Sequence, residues 1–298
     1  MNEIKLLEKI LPDLKQNKNV FLGPGDDCAA LDLGTGDLLL AAVDQLISSV
    51  HYDRSTTASR EAGAKLLKRN LSDIAAMGGK ASWALLALAT NTDDDKYLLD
   101  FYDGLREAAE KFNISLCGGD FSSLPKGEAG EVASLTILGT VGRDLMCCRS
   151  SAQVGDIVFV TGALGNSYES RRHLTFEPRL AEGRFLATGA YVNAMIDISD
   201  GLLIDAQRLA KASEVAVMLE LGHIPVNADA TLEQALGDGE DYELFFCVPA
   251  DKVEILRQEW AFETTLTSIG EIRANPPGEV TAPDGEDLSK RFKKGYEH

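Results

Sequence analysis

Short acidic motifs, nearly all beside glycine or serine, follow apolar stretches of this 298-residue sequence. A carboxylate placed directly after a buried strand is poorly solvated, so it usually needs an opposite charge or a metal ion. Lys and Arg are scarce beside these motifs in the sequence, and we therefore expect divalent cations as the partners. All-oxygen ligation selects magnesium, calcium or manganese over zinc. The six motifs are GPGDDC at 23–28, VDQ at Asp44, LSD at Asp73, GGD at Asp120, DISDG at 197–201 and GEDYE at 239–243.

Each motif taken alone also has a local explanation. Asp26 could bond the backbone of its own turn, while LSD and DISDG could be helix N-caps and GGD a loop between strands. The two explanations are compatible, because a helix N-terminus that receives a capping Asp or Ser is also a place where phosphate oxygens bind. Six such motifs in one chain favour a metal and phosphate site.

The net charge restricts the partners of the protein. Forty-seven acidic and 29 basic side chains give a formal charge of −18, which repels nucleic-acid backbones and anionic lipid surfaces. We therefore expect neither nucleic acid nor a membrane as a partner. A phosphate substrate would need a positive charge to meet it, and a divalent cation held by carboxylates supplies one.

Cysteine usage and apolar runs predict a cytoplasmic protein without a membrane anchor. The five cysteines are odd in number and form no C-x-x-C pair, which argues against a disulfide framework and a thiolate zinc site. Ile4, Leu7 and Leu11 have helical spacing rather than the unbroken apolar core of a signal peptide. The apolar run WALLALA at 83–89 is far shorter than the ~20 residues of a membrane span.

Several common catalytic motifs are absent from the sequence. It contains no G-x-x-x-x-G-K-[ST] and no protein-kinase H-R-D or V-A-I-K, and it also lacks G-x-S-x-G and H-E-x-x-H. The four histidines have no metal-ligand spacing. These absences exclude the P-loop, protein-kinase, hydrolase-elbow and zincin explanations.

The elements that must position the acidic motifs form two predicted domains. In the first half, strands LLLAAV (38–43) and WALLALA (83–89) alternate with helices at 56–77 and 94–112. In the second half, strands DIVFVTG, VAVMLEL and ELFFCVP accompany helices at 178–190 and 202–212. A polar stretch between them predicts a boundary that separates residues 1–143 from 144–298. The mixed connections indicate an α/β or α+β layered architecture.

The acidic motifs belong to a longer ordered set that runs from about residue 21 to the C-terminus. The set comprises GDDCAAL, VDQLISSVHY, KRNLSDIAAMGG, GGDFSS, RSSAQVGDIVFVTGALGNS, RHLTFEPR, DISDGLLID, GEDYEL and GYEH. As an ordered set it resembles the thiamine-monophosphate kinase family, which shares a superfamily with aminoimidazole ribonucleotide synthetase.

The resemblance implies a fold and a reaction. The N-terminal α/β domain would pair with its twin in a homodimer through a shared, dimeric β-barrel, and an α+β C-terminal domain would close over it. ATP and thiamine monophosphate would give ADP and thiamine diphosphate, with several Mg²⁺ ions bound. No histidine lies in an acidic motif, so we predict direct in-line transfer without a phosphoenzyme.

The resemblance also implies roles for residues at matching positions. Asp44, Asp120 and Arg149 are expected to act in catalysis. The magnesium positions match Asp27, Asp44, Asp73, Asp120, Asp197 and Asp200. The ATP positions match Tyr102 (near the adenine), Gly119, Asp120, Arg149 and Ser199, and the thiamine phosphate positions match His51, Glu240 and Tyr296.

Five positions depart from the family pattern, so two alternative functions remain open. The departures are Ala42, Val43, Phe121, Asn166 and Asp238. The first alternative is another ATP-using member of the superfamily, but Cys28 lies inside the GDD motif and GYEH ends the sequence, without the reactive cysteine that such chemistry requires. The second alternative is a catalytically altered paralogue that binds nucleotide or metal, but all six candidate metal carboxylates are present.

Overall fold

The computed structural model describes residues 3–125, 130–292 and 295, in which helices and strands alternate. The strands are β1 (Val20–Leu22), β2 (Ala29–Asp32), β3 (Asp37–Ile47), β4 (Lys80–Thr90), β5 (Ser115–Ser123), β6 (Glu131–Gly142), β7 (Ile157–Thr161), β8 (Ala194–Ile198), β9 (Ala216–Leu219), β10 (Glu243–Val248), β11 (Leu266–Arg273) and β12 (Val280–Thr281). The helices are α1 (Glu3–Ile10), α2 (Ser59–Ala76), α3 (Asp95–Phe112), α4 (Arg172–Thr175), α5 (Leu180–Thr188), α6 (Leu202–Ala212), α7 (Leu232–Gly237), α8 (Val253–Glu259) and α9 (Leu288–Arg291).

The first six strands form one sheet in the order β1-β2-β3-β6-β4-β5. β4 and β5 are parallel because α3 connects them as a crossover, whereas the other neighbouring strands are antiparallel. Along β4, the buried side chains of Ala84, Leu86 and Leu88 alternate with the exposed side chains of Trp83 and Leu85. β4 therefore turns one face toward buried neighbours and leaves the other face exposed in the part of the chain that the structure describes.

Helix α2 lies against the buried face of the first sheet and packs closely against α3. Two glycines permit this close approach. A Cβ atom on Gly63 would lie 2.0 Å from the carbonyl oxygen of Phe101, and one on Gly104 would lie 1.9 Å from that of Arg60. Any larger residue at either position would push the two helices apart.

Helix α3 matches the predicted helix at 94–112, with one residue fewer at its start. Asp94 is its N-cap, and the carboxylate accepts hydrogen bonds from the backbone N–H groups of Lys96 and Tyr97. The helix ends at Asn113, whose left-handed backbone (φ 57°) is tolerated best by asparagine and glycine.

The remaining six strands form a second sheet in the order β12-β9-β11-β7-β10-β8. β9 and β10 are buried along their whole length, as their apolar runs predict, and β8 is equally buried although Asp197 interrupts its apolar residues. The predicted mixture of α/β and α+β elements is therefore confirmed. The predicted boundary at 143/144 falls after Gly142, the last residue of β6, and before Ile157, the first residue of β7.

The outer face of the first sheet carries exposed apolar side chains. Val43 on β3 and Leu85 on β4 lie in one row, since both pair with Thr136 of β6, and they are 63% and 40% exposed. Trp83, also on β4, extends the same apolar exposure along this face. Contiguous apolar exposure of this kind marks an interaction surface.

The N-terminal segment forms α1, in agreement with the helical spacing of its apolar residues. Among the helices in the described ranges, we find none with the length and apolar character that crossing a membrane requires.

Candidate active site

Three aspartates from separate segments of the chain lie together. Asp27 lies in the loop between β1 and β2, Asp73 in the last turn of α2, and Asp197 in β8. One carboxylate oxygen from each lies within 4.8 Å of the other two. The Ser72 hydroxyl donates a 2.6 Å hydrogen bond to Asp197 and so joins the end of α2 to the second sheet. At this spacing, three carboxylates can share one cation.

Burial and mutual repulsion make this cluster unfavourable when it is fully ionised without a cation. Burial, followed by the charges of Asp44 and Asp197, raises the pKa of Asp73 well above its usual value. Burial and the charge of Asp27 raise the pKa of Asp197 in the same way. Burial also raises the pKa of the adjacent Asp26, to about 7. Because every donor is a carboxylate oxygen, the residues fit a hard divalent cation such as Mg²⁺.

The expectation that basic side chains are scarce beside the acidic motifs is wrong. Arg149 donates from its guanidinium to both carboxylate oxygens of Asp27, and Arg69 Nε donates to Asp44 at 2.7 Å. These partners are distant in sequence, so a local pattern could not reveal them. Further ion pairs join Arg208 to Asp200, Arg172 to Asp241, Arg179 to Glu243 and Lys65 to Glu240.

The structure also identifies a residue that the sequence analysis missed. Asp205, in the first turn of α6, is buried, and its Oδ2 accepts hydrogen bonds from the backbone N–H groups of Ser199, Asp200 and Gly201 at 3.0, 3.0 and 3.2 Å. Its other oxygen accepts from Arg208, and burial raises the pKa of Asp205 to about 6. Asp205 therefore fixes the DISDG loop. The only sequence signal was a carboxylate in the first turn of a helix that follows glycine.

A cavity of about 450 Å³ opens beside the DISDG loop, a size suited to a small-molecule ligand. The structure brings four of the predicted site residues to its wall, although they come from distant parts of the sequence: His51, Ser199, Asp200 and Glu240. The imidazole of His51 is held in place because its Nδ1 accepts the backbone N–H of Ile47 at 2.9 Å.

A buried lysine supports one wall of this cavity. The Lys65 side chain on α2 has no exposed area, and its ammonium forms an ion pair with Glu240. It also donates a hydrogen bond to the carbonyl oxygen of His51 at 2.7 Å. The Nδ1 atom of His173 lies at the same distance from it, 2.7 Å. Lys65 thus connects two of the three predicted substrate residues, His51 and Glu240, and joins α2 to the second half of the chain.

The charges in this group are set by burial and by one another. Burial lowers the pKa of Lys65 to about 8, against the opposing effect of Glu240, and it lowers the pKa of His173. Burial alone would raise the pKa of Glu240, but Lys65, the hydrogen bond with His173 and the charge of Arg69 outweigh it and hold that pKa below its usual range. Glu240 is therefore a carboxylate at neutral pH.

We expect Lys65→Met to lower the free energy of unfolding by ~3 kcal/mol, because it leaves the largely buried Glu240 carboxylate without its main partner. Urea unfolding monitored by circular dichroism measures the change. The double variant Lys65→Met/Glu240→Gln should recover part of the loss, since it removes both charges. Equal stability of the single and double variants would show that the ion pair contributes nothing.

Comparison with known proteins gives matches over both halves of the chain. Residues 25–141 match the AIR synthase related protein, N-terminal domain, and residues 153–283 match the corresponding C-terminal domain. The thiamine-monophosphate kinase of Bacillus subtilis is 31% identical, over 100% of this chain and 99% of its own length. The chain belongs to the thiamine-monophosphate kinase family.

Solved structures agree with this family membership. The thiamine-monophosphate kinase from Stenotrophomonas maltophilia is 32% identical and superposes with a TM-score of 0.77, covering 96% of this chain and 97% of that one. AaThiL complexed with AMPPCP and TMP is 28% identical with a TM-score of 0.79, covering 100% and 97%. The resemblance inferred from the motifs and the predicted two-domain, aminoimidazole ribonucleotide synthetase-like fold are both confirmed.

Within this family member, Asp120 lies apart from the aspartate cluster. Across the first sheet, Asp44 on β3 pairs with Leu135 on β6, Leu135 pairs with Leu86 on β4, and Leu86 pairs with Gly119 on β5. Gly119 is the neighbour of Asp120, so Asp44 and Asp120 lie about three strand spacings apart. That distance is about 14 Å at ordinary strand spacing. The structure therefore does not bring Asp120 to Asp44 within one chain, and the metal and ATP roles of Asp120 stay predictions.

Another predicted residue, Tyr102, is not among the described residues that line the cavity. Tyr102 is on α3 and is 39% exposed, so its role beside the adenine stays a prediction. Tyr296 lies outside the described residues.

Two of the departures from the family pattern contact each other. The backbone N–H of Asn166 donates to a carboxylate oxygen of Asp238 at 3.3 Å, and the Asn166 side chain donates to the carbonyl oxygen of Asp229. Asn166 has a left-handed backbone (φ 58°), which asparagine tolerates well. Since Asp238 lines the cavity, this pair alters the cavity wall without removing a candidate metal carboxylate.

Proposed function

We propose that this protein transfers the γ-phosphoryl group of ATP to thiamine monophosphate, giving ADP and thiamine diphosphate. The observation that carries the proposal is the cavity beside the loop that follows Asp197, whose wall contains His51 and Glu240, two of the three residues that the resemblance assigns to thiamine phosphate. Full-length family membership and a relative complexed with AMPPCP and TMP support it.

We propose Mg²⁺ as the metal, held by Asp27, Asp73 and Asp197. Their buried, closely spaced carboxylates support this assignment, and neither Asp73 nor Asp197 has a lysine or arginine within ion-pair distance among the described residues. When bound, Mg²⁺ neutralises phosphate charge and polarises phosphorus. Asp44, Asp120 and Asp200 would complete the metal set, as the resemblance implies.

The phosphoryl transfer is proposed to be direct and in line. An oxygen of the acceptor monophosphate forms a bond to the γ-phosphorus while the bond to the β,γ-bridging oxygen breaks, and ADP leaves with that electron pair. The acceptor oxygen is already anionic at neutral pH, so no strong base is required. Nδ1 of His51 and Nδ1 of His173 both accept hydrogen bonds, so each neutral ring carries its proton on Nε2 and has no free lone pair for a phosphohistidine.

The residues of the chain would position the two anionic substrates. Arg149 would bind ATP phosphate oxygens through the part of its guanidinium that does not donate to Asp27, since Nε and Nη2 donate to that carboxylate. Ser199 and Gly119 would hold ATP, with Tyr102 near the adenine, while Glu240 would face the thiazolium cation.

We also propose that the protein is a homodimer in which the outer faces of two first sheets form a shared β-barrel. The exposed apolar row on β3 and β4 and the exposed edge strand β5 support this arrangement. A cytoplasmic location is part of the proposal, supported by five cysteines that are all free thiols.

We expect ADP release in a coupled assay with ATP, MgCl₂ and thiamine monophosphate, and none above background with free thiamine, which has no acceptor phosphate. Chirally labelled γ-phosphoryl ATP should give product with inverted configuration, because a single displacement inverts phosphorus. Absence of turnover with thiamine monophosphate would favour a nucleotide-binding paralogue, and retention of configuration would indicate a phosphoenzyme.

A further inference from the structure

The cavity wall has an unusual charge distribution for a site that takes a phosphate ester. Among the described residues that line it, four carry carboxylates: Glu169, Asp200, Asp238 and Glu240. Arg69 is the only lysine or arginine in the same part of the chain that lines the cavity. A monophosphate dianion that entered this cavity without a cationic partner would be repelled.

Arg69 is held rigidly at the wall by two hydrogen bonds. Its Nε donates to Asp44 Oδ2 at 2.7 Å, and its Nη1 donates to the carbonyl oxygen of Gln45 at 2.6 Å. The third guanidinium nitrogen, Nη2, has no hydrogen-bond acceptor in the portion of the chain that the structure describes. The side chain is only 9% exposed, so its charge is poorly screened by water.

We propose that Arg69 binds the monophosphate group of the acceptor substrate through Nη2, an inference that rests on the proposed function. Arg69 is not among the positions to which the family resemblance gives a role. Its Nη2 keeps two N–H groups for phosphate oxygens, and its orientation is fixed before the ligand arrives. By pairing with Asp44, it also reduces the repulsion that this carboxylate would exert on a bound phosphate.

The ligand of Arg69 is assigned to the acceptor rather than to ATP because the two arginines of the site occupy different places. Arg149 is paired with Asp26 and Asp27, at the acidic loop after β1. Arg69 lies instead on the wall shared with His51 and Glu240, two of the three positions that the resemblance assigns to thiamine phosphate. The positive charges are thus divided between the two anionic substrates.

Calorimetric titrations with thiamine monophosphate and, separately, with AMPPCP test this assignment. We expect Arg69→Gln to weaken thiamine monophosphate binding about ten- to a hundredfold, the value of a charge-assisted hydrogen bond, and to change AMPPCP binding less than twofold. Arg69→Lys keeps the charge but lacks the guanidinium nitrogens that fix the side chain, and it should give an intermediate loss. Arg106→Gln, which removes the same charge from the exposed face of α3, is the control and should bind as the wild type does.

Equal weakening of both ligands by Arg69→Gln, or unchanged thiamine monophosphate binding in a folded variant, would overturn the assignment. If circular dichroism shows that Arg69→Gln does not fold, the binding of thiamine monophosphate and of AMPPCP to Arg69→Lys is compared instead. Binding is measured without turnover, so a wild-type protein that binds thiamine monophosphate but releases no ADP would refute the proposed function and leave the Arg69 assignment intact. If the wild type binds no thiamine monophosphate, inorganic phosphate is the probe, and equal phosphate affinity of Arg69→Gln and Arg106→Gln overturns the assignment.

Discussion

Asp197→Asn should lower turnover at least about a hundredfold, because one metal ligand supplies several kcal/mol of transition-state stabilisation. Without Mg²⁺, the melting temperature of this variant should equal or exceed that of the wild type. The reason is that the substitution removes one of three crowded carboxylates while Ser72 can still donate to the side-chain oxygen. Melting curves with and without MgCl₂ should show a Mg²⁺-dependent rise in the wild type that is absent in the variant.

Asp156→Asn is a matched control, since Asp156 is equally buried but lies outside the cluster. Its carboxylate accepts hydrogen bonds from the Gln153 backbone and the Asn193 side chain, so the variant should melt lower and keep the Mg²⁺-dependent rise. Near-normal turnover of Asp197→Asn at limiting Mg²⁺ would refute the metal assignment.

Leu85→Glu should convert the protein from a dimer to a monomer of 32.1 kDa. The side chain lies in the exposed apolar row on the outer face of the first sheet, and a carboxylate buried there in both subunits would cost several kcal/mol. Sedimentation velocity at micromolar concentration measures the change. Because a monomer keeps the intramolecular core, its far-ultraviolet circular dichroism should match that of the wild type.

Leu99→Glu makes the same chemical change at a residue on α3 that is 66% exposed and lies away from this face, and it should remain dimeric. A wild-type monomer, or a Leu85→Glu dimer, would contradict the proposed barrel.

Local patterns predicted most of the elements. The helix expected at 202–212 is observed as α6 (Leu202–Ala212), because its apolar spacing and the preceding glycine act locally. The strand expected at 38–43 extends to β3 (Asp37–Ile47), since its pairing with β6 continues through Asp44 to Ile47. Strand ends depend on a partner that is distant in sequence, so the apolar run alone underestimates them.

The site was predicted less completely than the fold. The motifs indicated that Asp27, Asp73 and Asp197 belong together, and the structure brings them within 4.8 Å. The motifs gave no indication that Lys65 or Arg69 belongs to the site. Both residues lie on α2, and from the sequence alone charged residues on a helix are expected to face solvent. Their burial arises only when the second half of the chain covers α2.

The polar contacts of α2 with the second half of the chain limit how members of this family can be recombined. Besides the Lys65 pair, the ammonium of Lys68 donates to the carbonyl oxygens of Leu174 and Phe176, 106 and 108 residues away. A chimera that joins this N-terminal half to a relative's C-terminal half must therefore preserve the main-chain path of that loop and an acid at the position of Glu240. Otherwise two lysines would be trapped in the junction without acceptors, so these halves are inherited as a matched pair rather than as exchangeable modules.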